Sequence, residues 1–395
     1  MSYQVLARKY RPRNFSELKG QSALVQTLTN AISMKRVHHA YLLTGIRGVG
    51  KTTTARIIAK NLNCTGEDGN GSETTAPCEK CANCLSITSG SHPDVIEFDA
   101  ASNTGIDDVK IIIDGCKYAP IQGRKKIFIV DEVHMLSTKA FNALLKTLEE
   151  PPANMIFIFA TTEIRKVPIT IVSRCQKFNL RSLDKPELIA NINEVCKKEG
   201  YAIEEKAAEL IAKKADGSVR DSLSILDQAI VNTICSDDAT NNTITLDITQ
   251  KMLMTAGFDD TIELFLLITN FKTAEAISKI TEIIKSGIDE KSILSDLMDV
   301  TNLIIKSKSG IQIDDAKLAE HAKDLSMPFL IRLWQILIKG VDEMNYSNNL
   351  TVTLEMIAIK ACYTASLPTA TDIIERLKNN NLNDIINLFD GKMVG

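Results

Sequence analysis

The 395-residue sequence contains no apolar run approaching the length of a membrane span, and its opening, MSYQVLARKYRPRNF, lacks the apolar core of a secretory signal. Those absences argue against a membrane or exported protein and make a cytoplasmic one the expectation. There is also no excess of charge of one sign: 46 Lys and Arg stand against 49 Asp and Glu, a formal net charge of −3. A chain so balanced has no global pull on nucleic acid, so any such contact must come from a local basic surface. No strong internal repeat is visible, which removes the solenoid architectures. What is present is ordinary for a globular protein, with 44% hydrophobic and 24% charged residues and enough length for two or three domains.

Cysteine occurs nine times, an odd number, which without a secretory signal argues against a disulfide framework. Cys116, Cys175, Cys196, Cys235 and Cys362 are scattered singly and read as small core residues. The other four cluster as C-x13-C-x2-C-x2-C, at Cys64, Cys78, Cys81 and Cys84. Four soft ligands in so short a span are enough to close a tetrahedral Zn²⁺ site with no position open to substrate. The interval TGEDGNGSETTAP is polar loop material that can fold back over a metal, and EKCANC lacks the apolar neighbours of a core element. A redox site and incidental core cysteines are the alternatives. The expected role is structural: a small loop module, held by zinc because it cannot bury a core of its own, that offers a stapled docking surface.

Short apolar runs alternate with helical patterns over roughly the first 180 residues. AYLLTG, DVIEFDA, KIFIVDE and MIFIFATT read as strands, apolar on both faces as in a parallel sheet covered by helices. KTTTARIIAKNL, DDVKIIIDGCKY and STKAFNALLKTLEE between them carry apolar residues at helical spacing, with Ser137 as an N-cap and the Pro151–Pro152 pair as a stop. This predicts an α/β doubly wound domain over residues 1–181, with the cysteine module at 64–84 inside it. Helical patterns over 182–242 predict a small second domain, with a C-cap at Gly200 and a polar linker at 235–245. The 3.6-residue period of Ile277/Ile280/Ile284, Leu294/Leu297/Met298 and Leu333/Trp334/Leu337 predicts an all-helical third domain over 243–368, followed by a weakly packed tail, 369–395.

GIRGVGKT fits G-x-x-x-x-G-K-[ST] at Gly45, Gly50, Lys51 and Thr52. Small residues let backbone N–H groups curl around phosphate oxygens; Lys51 brings a cation to the β- and γ-phosphates and Thr52 a hydroxyl to Mg²⁺. From average residue usage the pattern arises by chance in roughly one such chain in a hundred. The strand before it and the helix after it are the context that separates a phosphate loop from a Gly-rich turn. Ile46, Arg47, Gly48, Val49 and Thr53 complete the loop. Asp131 and Glu132 end a buried strand where open sheets bind ligands, so Asp131 can hold Mg²⁺ through water and Glu132 can orient or deprotonate the attacking water. A lone Asp-Glu pair would be a solvated strand end; the upstream loop makes it more. Thr161 and Thr162 end the next strand and either serve the γ-phosphate region or are ordinary strand residues.

With these residues in hand, the chain resembles the γ/τ subunits of bacterial DNA polymerase III, the ATP-driven motors of clamp loaders. The resemblance is carried by LARKYRPRNFSELKGQ, HAYLLTGIRGVGKTTTARIIAKNLNC, the cysteine cluster, HPDVIEFDAASNTGIDDVK, VDEVHMLSTKAFNALLKTLEEPP, ATTE and TIVSRCQKF. It implies an AAA+ P-loop ATPase domain with a parallel sheet and a four-cysteine zinc insert, then a small helical lid and an all-helical collar that assembles a ring-like pentamer. It also implies roles that spacing alone does not give. Arg174 in SRC becomes an arginine finger for a neighbouring subunit, Arg220 a lid arginine sensing the γ-phosphate in its own subunit, and Thr162 a sensor threonine. Ala7, Tyr10, Arg11 and Pro12 become candidates near the adenine.

The implied cofactors are ATP, Mg²⁺ and Zn²⁺. The implied partners are the δ and δ′ clamp-loader subunits, further copies of the chain, a sliding clamp and primed DNA held by phosphate contacts without sequence choice. Long members of the family continue through a basic, Pro-rich linker to helicase- and polymerase-binding domains; this sequence stops at Gly395, so such tethering is not expected of it. Two other readings are another AAA+ remodeller, such as a helicase loader or branch-migration motor, and a nucleotide-binding scaffold. The first does not explain the cysteines, and intact Lys51, Asp131, Glu132 and Arg174 argue against the second. A zinc-mediated nucleic-acid binder is weakened by the insert itself, which holds one Lys, Lys80, and no Arg or aromatic residue.

Overall fold

Five parallel strands form the central sheet: β1 (Ala40–Thr44), β2 (Val95–Asp99), β3 (Lys126–Asp131), β4 (Met155–Thr161) and β5 (Gln176–Asn179), in the order β2-β3-β4-β1-β5. The computed structural model describes residues 3–234, 242–253, 258–310, 318, 322–323 and 325–365. Cys235, residues 235–241 of the expected linker and the tail 369–395 lie outside them. The chain divides between Thr249 and Gln250 into two compact units.

The period of two along the central strands sorts their side chains between two cores. Tyr41, Leu43, Ile127, Ile129, Ile156 and Ile158 face one side with α2 (Ser22–Ser33) and α3 (Lys51–Asn63). Leu42, Phe128, Val130, Phe157 and Phe159 face the other with α5 (Ile106–Gly115) and α6 (Thr138–Glu149). Phe157 stacks on Phe128 and on Phe159 with ring centroids 5.7 and 5.6 Å apart. The doubly wound sheet is therefore present. β2, however, buries only Val95, with Ile96 and Phe98 partly covered and Glu97 and Asp99 exposed, as suits an edge strand, and is not apolar on both faces. β5, at the other edge, has no apolar run: only alternate residues of QKFN are partly buried, so hydrophobicity does not announce it. Ser137 caps α6 by accepting from Ala140 N, and α6 ends at Glu149 before the two prolines.

Short α1 (Leu6–Lys9) and α4 (Ala82–Ser89) belong to the same unit, as does the four-residue α7 (Ile169–Val172). The helical segment after the sheet consists of α8 (Lys185–Glu199), α9 (Glu205–Ala215) and α10 (Val219–Ile234). A reciprocal box of Asp184 and Glu187 starts α8 and Gly200, at φ +80°, ends it. Part of the expected linker is ordered pairing: β6 (Ala202–Ile203) runs parallel to β7 (Thr243–Ile244) ahead of α11 (Leu246–Leu253).

The second unit is helical among its described residues: α12 (Phe258–Thr269), α13 (Thr273–Lys285), α14 (Glu290–Lys308), α15 (Met327–Tyr346) and α16 (Leu350–Ala365). Ile280, Leu294, Leu297, Leu333 and Leu337 lie in one core with Ile284 and Met298 packed against it, whereas Ile277 and Trp334, at the margin of their helical faces, are only partly buried and stand outside it. At Gly340 α15 lies close against α16: a Cβ there would meet Ile357 Cδ1 at 2.7 Å. Among the described residues no helix is long and apolar enough to cross a membrane.

Candidate nucleotide site

The carboxyl ends of β1, β3 and β4 meet at one edge of the sheet. Thr44 lies beside Thr161, and the segments 45–50 and 131–132 leave from the same edge. The loop Gly45–Gly50 bends through left-handed backbone at Gly45, Gly48 and Gly50 (φ +147°, +77° and +105°), conformations that L side chains resist. It delivers the chain into α3 at Lys51, so the unpaired N–H groups and positive dipole end of a 13-residue helix face the cavity. The Lys51 ammonium, 6% exposed, donates to the carbonyls of Gly45 and Ile46 at 3.0 Å each. Burial lowers its pKa, while the carboxylates of Glu132 and Asp131 oppose that shift.

Thr52 Oγ1 donates to Asp131 Oδ2 at 2.5 Å, joining the first turn of α3 to the end of β3. Glu132 sits in left-handed backbone at φ +47°, which turns its side chain out of the strand's alternation. Its Oε2 accepts from Thr162 N at 3.3 Å and Thr162 Oγ1 at 3.1 Å. His134 Nδ1 lies 2.9 Å from Thr161 Oγ1 and 3.4 Å from Glu132 Oε2, so the imidazole braces the two strand ends from behind.

Ile46–Thr52, Asp131, Glu132, His134 and Thr162 line a cavity of about 1290 Å³ that also takes in Ala7, Tyr10, Arg11 and Pro12 on one wall and Arg220 on another, while Gly45 and Thr161 stand outside its lining. Thr53, 8% exposed, lines it too. Arg220 N donates to Gly48 O at 3.3 Å, so the start of α10 is fastened directly to the phosphate-type loop. Tyr10 OH donates to Glu199 Oε1 at 2.6 Å; burial and that carboxylate push the phenol up to about 12. Arg174 is elsewhere. Its guanidinium pairs with Glu149 of α6 and donates to Thr170 O at 2.7 Å, and it does not line the cavity.

The four cysteines converge as well. Their sulfurs all lie within 4.8 Å of one another, and Cys64 and Cys78 are 3.6 Å apart, much too far for a disulfide. Zn–S bonds of about 2.3 Å in a tetrahedron separate sulfurs by about 3.8 Å, so the arrangement is compatible with zinc. Backbone N–H groups of Gly66 and Cys78 point at Cys64 Sγ, that of Cys81 at Cys78 Sγ, and that of Cys84 at Cys81 Sγ, at 3.3–3.4 Å. Burial raises the Cys81 thiol, but hydrogen bonds from Thr65 and the Cys84 N–H outweigh it and bring the pKa to about 6. Burial and the neighbouring sulfurs raise Cys84, so a full set of thiolates needs a cation. The knuckle is less of a free loop than its composition suggests. Cys81 caps α4, whose Ile87 is 1% exposed in the main core, and Cys64 is the C-cap of α3 itself. Of the remaining cysteines, Cys116, Cys196 and Cys362 are buried and Cys175 is partly so.

Residues 188–233 match the family described as "DNA polymerase III clamp loader subunit, ATPase lid domain", and residues 244–377 match "DNA polymerase III subunits gamma and tau domain III". Residues 20–184 match "DNA polymerase III, delta subunit". The DNA polymerase III subunit gamma of Buchnera aphidicola subsp. Schizaphis graminum is 39% identical over 373 residues, covering 91% of this chain and 98% of that protein. The chain belongs to the DNA polymerase III γ/τ family. The subunit tau of Bacillus subtilis is 38% identical over 95% of this chain but only 66% of its own length, and that of Salmonella typhimurium 38% over 91% and 56%. The chain thus spans between about half and two thirds of the tau relatives it matches. Among solved structures, the Thermotoga maritima RuvB Holliday junction branch migration motor matches over 71% of this chain and 86% of its own, at 19% identity and a TM-score of 0.46.

As a member of this family the chain has a P-loop AAA+ fold, which implies a bound nucleotide and Mg²⁺. Glu79 of the cavity, and several residues that hold its wall from outside the lining, carry no sequence signal of their own. Glu199, which holds Tyr10 and Lys9, ends an unremarkable helix, and Lys60 and Glu79 join the cysteine knuckle to Arg13 and Asn14 of the N-terminal segment through contacts between residues 47 and 65 positions apart. Lys60 is 3% exposed, and a lysine so buried needs a partner.

Proposed function

We propose that this chain is the ATP-hydrolysing motor of a bacterial clamp loader, coupling ATP binding and hydrolysis to the loading of a sliding clamp on primed DNA. The observation that carries the reading is the joined set Thr52–Asp131 and Glu132–Thr162 at the mouth of the Gly45–Thr52 loop, beneath an α10 fastened to that loop. Bound Mg²⁺ supplies electrophilic assistance to the phosphoryl oxygens, and Thr52 and Asp131 are the side chains that would hold it. Lys51 neutralises β- and γ-phosphate charge. Glu132 aligns the attacking water and takes its proton, with Thr162 fixing the carboxylate through two donors. Ala7, Tyr10, Arg11 and Pro12 wall the base end, and Arg220 reads the γ-phosphate within the subunit.

Arg174 acts in a neighbouring subunit's site. Its place outside its own cavity supports this, since a finger that serves in trans has no business there. The division into ATPase domain 1–181, lid 182–242 and collar 243–368 is part of the same proposal, with the collar joining copies to δ and δ′ subunits. DNA is held by phosphate contacts, and zinc is the ion for Cys64, Cys78, Cys81 and Cys84. Steady-state ATP hydrolysis is the test, measured for the chain alone and mixed with δ, δ′, sliding clamp and primed DNA. Strong stimulation by the mixture is expected, falling by about a thousandfold or more in Arg174→Ala while ATP binding persists. Turnover indifferent to clamp and primer, or to the arginine, would refute the assignment.

A further inference from the structure

The four-cysteine knuckle touches the nucleotide cavity through residues that the proposed reaction does not use. Glu79 stands between two of the sulfur ligands, in left-handed backbone at φ +61°. A non-glycine residue keeps that conformation only where its surroundings over-determine it, and here the turn is closed by Cys81 N donating to Cys78 Sγ at 3.3 Å. The turn aims Glu79 Oε1 at Asn14 Nδ2, 2.8 Å away. Asn14 Oδ1 in turn accepts from Glu17 N at 3.2 Å, while Glu17 accepts from Arg13 N at 2.8 Å.

A second tie lies alongside. Lys60, 3% exposed on the helix that ends at Cys64, donates its ammonium to Arg13 O. Its charge faces the acids Glu79 and Glu17 and the thiol of Cys84, with Arg13 opposing. The segment from Ala7 to Arg13, one wall of the cavity, is therefore strung between two anchors. Glu199 of α8 holds Tyr10 and Lys9 at one end, and the knuckle with Lys60 holds Asn14 and Arg13 at the other.

We propose that the cysteine knuckle is an affinity-setting brace for the nucleotide site, with Glu79 as the positioning residue that transmits metal occupancy to the cavity wall. The proposal rests on the cavity being the nucleotide site. Removing the metal frees the Cys78–Cys81 turn, releases Glu79 from its strained conformation and loosens the wall at Asn14. No bond to the nucleotide is lost; the wall simply ceases to be pre-organised, and binding weakens.

The test titrates a fluorescent ATP analogue into the full chain, with zinc content measured in parallel by a colorimetric chelator. Glu79→Ala is expected to keep its zinc and its melting temperature and to bind roughly tenfold more weakly, the loss of one hydrogen bond to a charged group. Glu79→Gln, which keeps the acceptor oxygen, is expected to recover most of that loss. Stripping zinc is expected to weaken the wild type about as much as the alanine change and to weaken Glu79→Ala little further, since both cut the same link. Unchanged affinity in Glu79→Ala, or effects of variant and stripping that multiply, would overturn the brace while leaving the nucleotide site standing. A wild type that binds no nucleotide would refute the site and the brace together.

Discussion

Gly48→Ala puts one methyl group between the phosphate-type loop and the lid. Gly48 lies at φ +77°, where an L residue costs about 1–2 kcal/mol. The added Cβ would stand 2.0 Å from Ser218 Oγ, so that hydroxyl must rotate away. In its present position it accepts from Asp221 N at 3.2 Å, capping the start of α10, and losing a cap costs about 1 kcal/mol. Rotation does not clear the site, because Ser218 Cβ and Arg220 Cβ remain at 3.2 and 3.3 Å, tight enough to strain the Arg220 N to Gly48 O bond as well. The sum is about 2–4 kcal/mol; moving α10 off the loop relieves the clash with Ser218 and Arg220 but not the backbone strain at position 48, and it takes Arg220 out of the cavity. We therefore expect nucleotide affinity to fall by about two orders of magnitude, with a much smaller change in melting temperature. Ser218→Ala removes the cap without the clash and should lose about fivefold. Fluorescent-nucleotide titration beside differential scanning fluorimetry decides the matter. Wild-type affinity in Gly48→Ala would show that the seat of α10 on the loop has no part in binding.

Two further expectations rest on single carboxylates. Glu132→Gln keeps the Thr162 contacts but cannot take a proton, so stimulated turnover should fall by about 10²- to 10⁴-fold with ATP affinity nearly unchanged; a parallel loss of affinity would instead make Glu132 a binding group. Asp94, fully buried, accepts from the N–H groups of Ile121, Gln122 and Gly123 at 2.7–2.8 Å; burial raises its pKa, but the three donors outweigh that and hold it below the ordinary aspartate value. A lowered native pKa adds stability that is complete above the unfolded value of about 3.9 and is lost as pH falls through the native value. Urea melts should accordingly show Asp94→Asn destabilised by about 2–4 kcal/mol at pH 7, with the gap to wild type narrowing below pH 4; a gap that stays constant down to pH 3 would refute the ionised, triply bonded carboxylate.

What could be read from the sequence follows from how local each determinant is. The loop Gly45–Thr52, the buried strands and Asp131–Glu132 are contiguous, and their chemistry is written in neighbouring residues. The helical faces of the second unit are equally plain because Leu294, Leu297, Leu333 and Leu337 recur at the period of the turn. β5 is hidden for the opposite reason: an edge strand in register with β1 from Tyr41 to Thr44 takes its pairing from the neighbour and needs little hydrophobicity of its own. Tyr10 was legible as a cavity residue only through resemblance. Its actual restraint, Glu199, is 189 positions away, and no local pattern joins a tyrosine near one end of a domain to the last residue of a lid helix.

The closeness of the cysteine cluster to the nucleotide signature has a physical explanation in α3. That single helix starts at Lys51 and is capped at its far end by Cys64, one of the four sulfurs. Thirteen residues at about 1.5 Å each set the two some 20 Å apart on one rigid rod. A knuckle whose first ligand ends the phosphate-loop helix is not an appendage that could be deleted without consequence. Cys81 caps α4 and Cys84 lies within it, and Ile87 of that helix enters the same core as Ile57 and Ile58 of α3. The cysteine cluster therefore closes a loop between two helices of the first unit, and Lys60, one turn before Cys64, spends its buried charge on the backbone of the cavity wall and not on solvent. A docking surface would require none of these inward contacts. They are what the proposed brace requires, since they tie the cavity wall to the same helix that ends at Cys64.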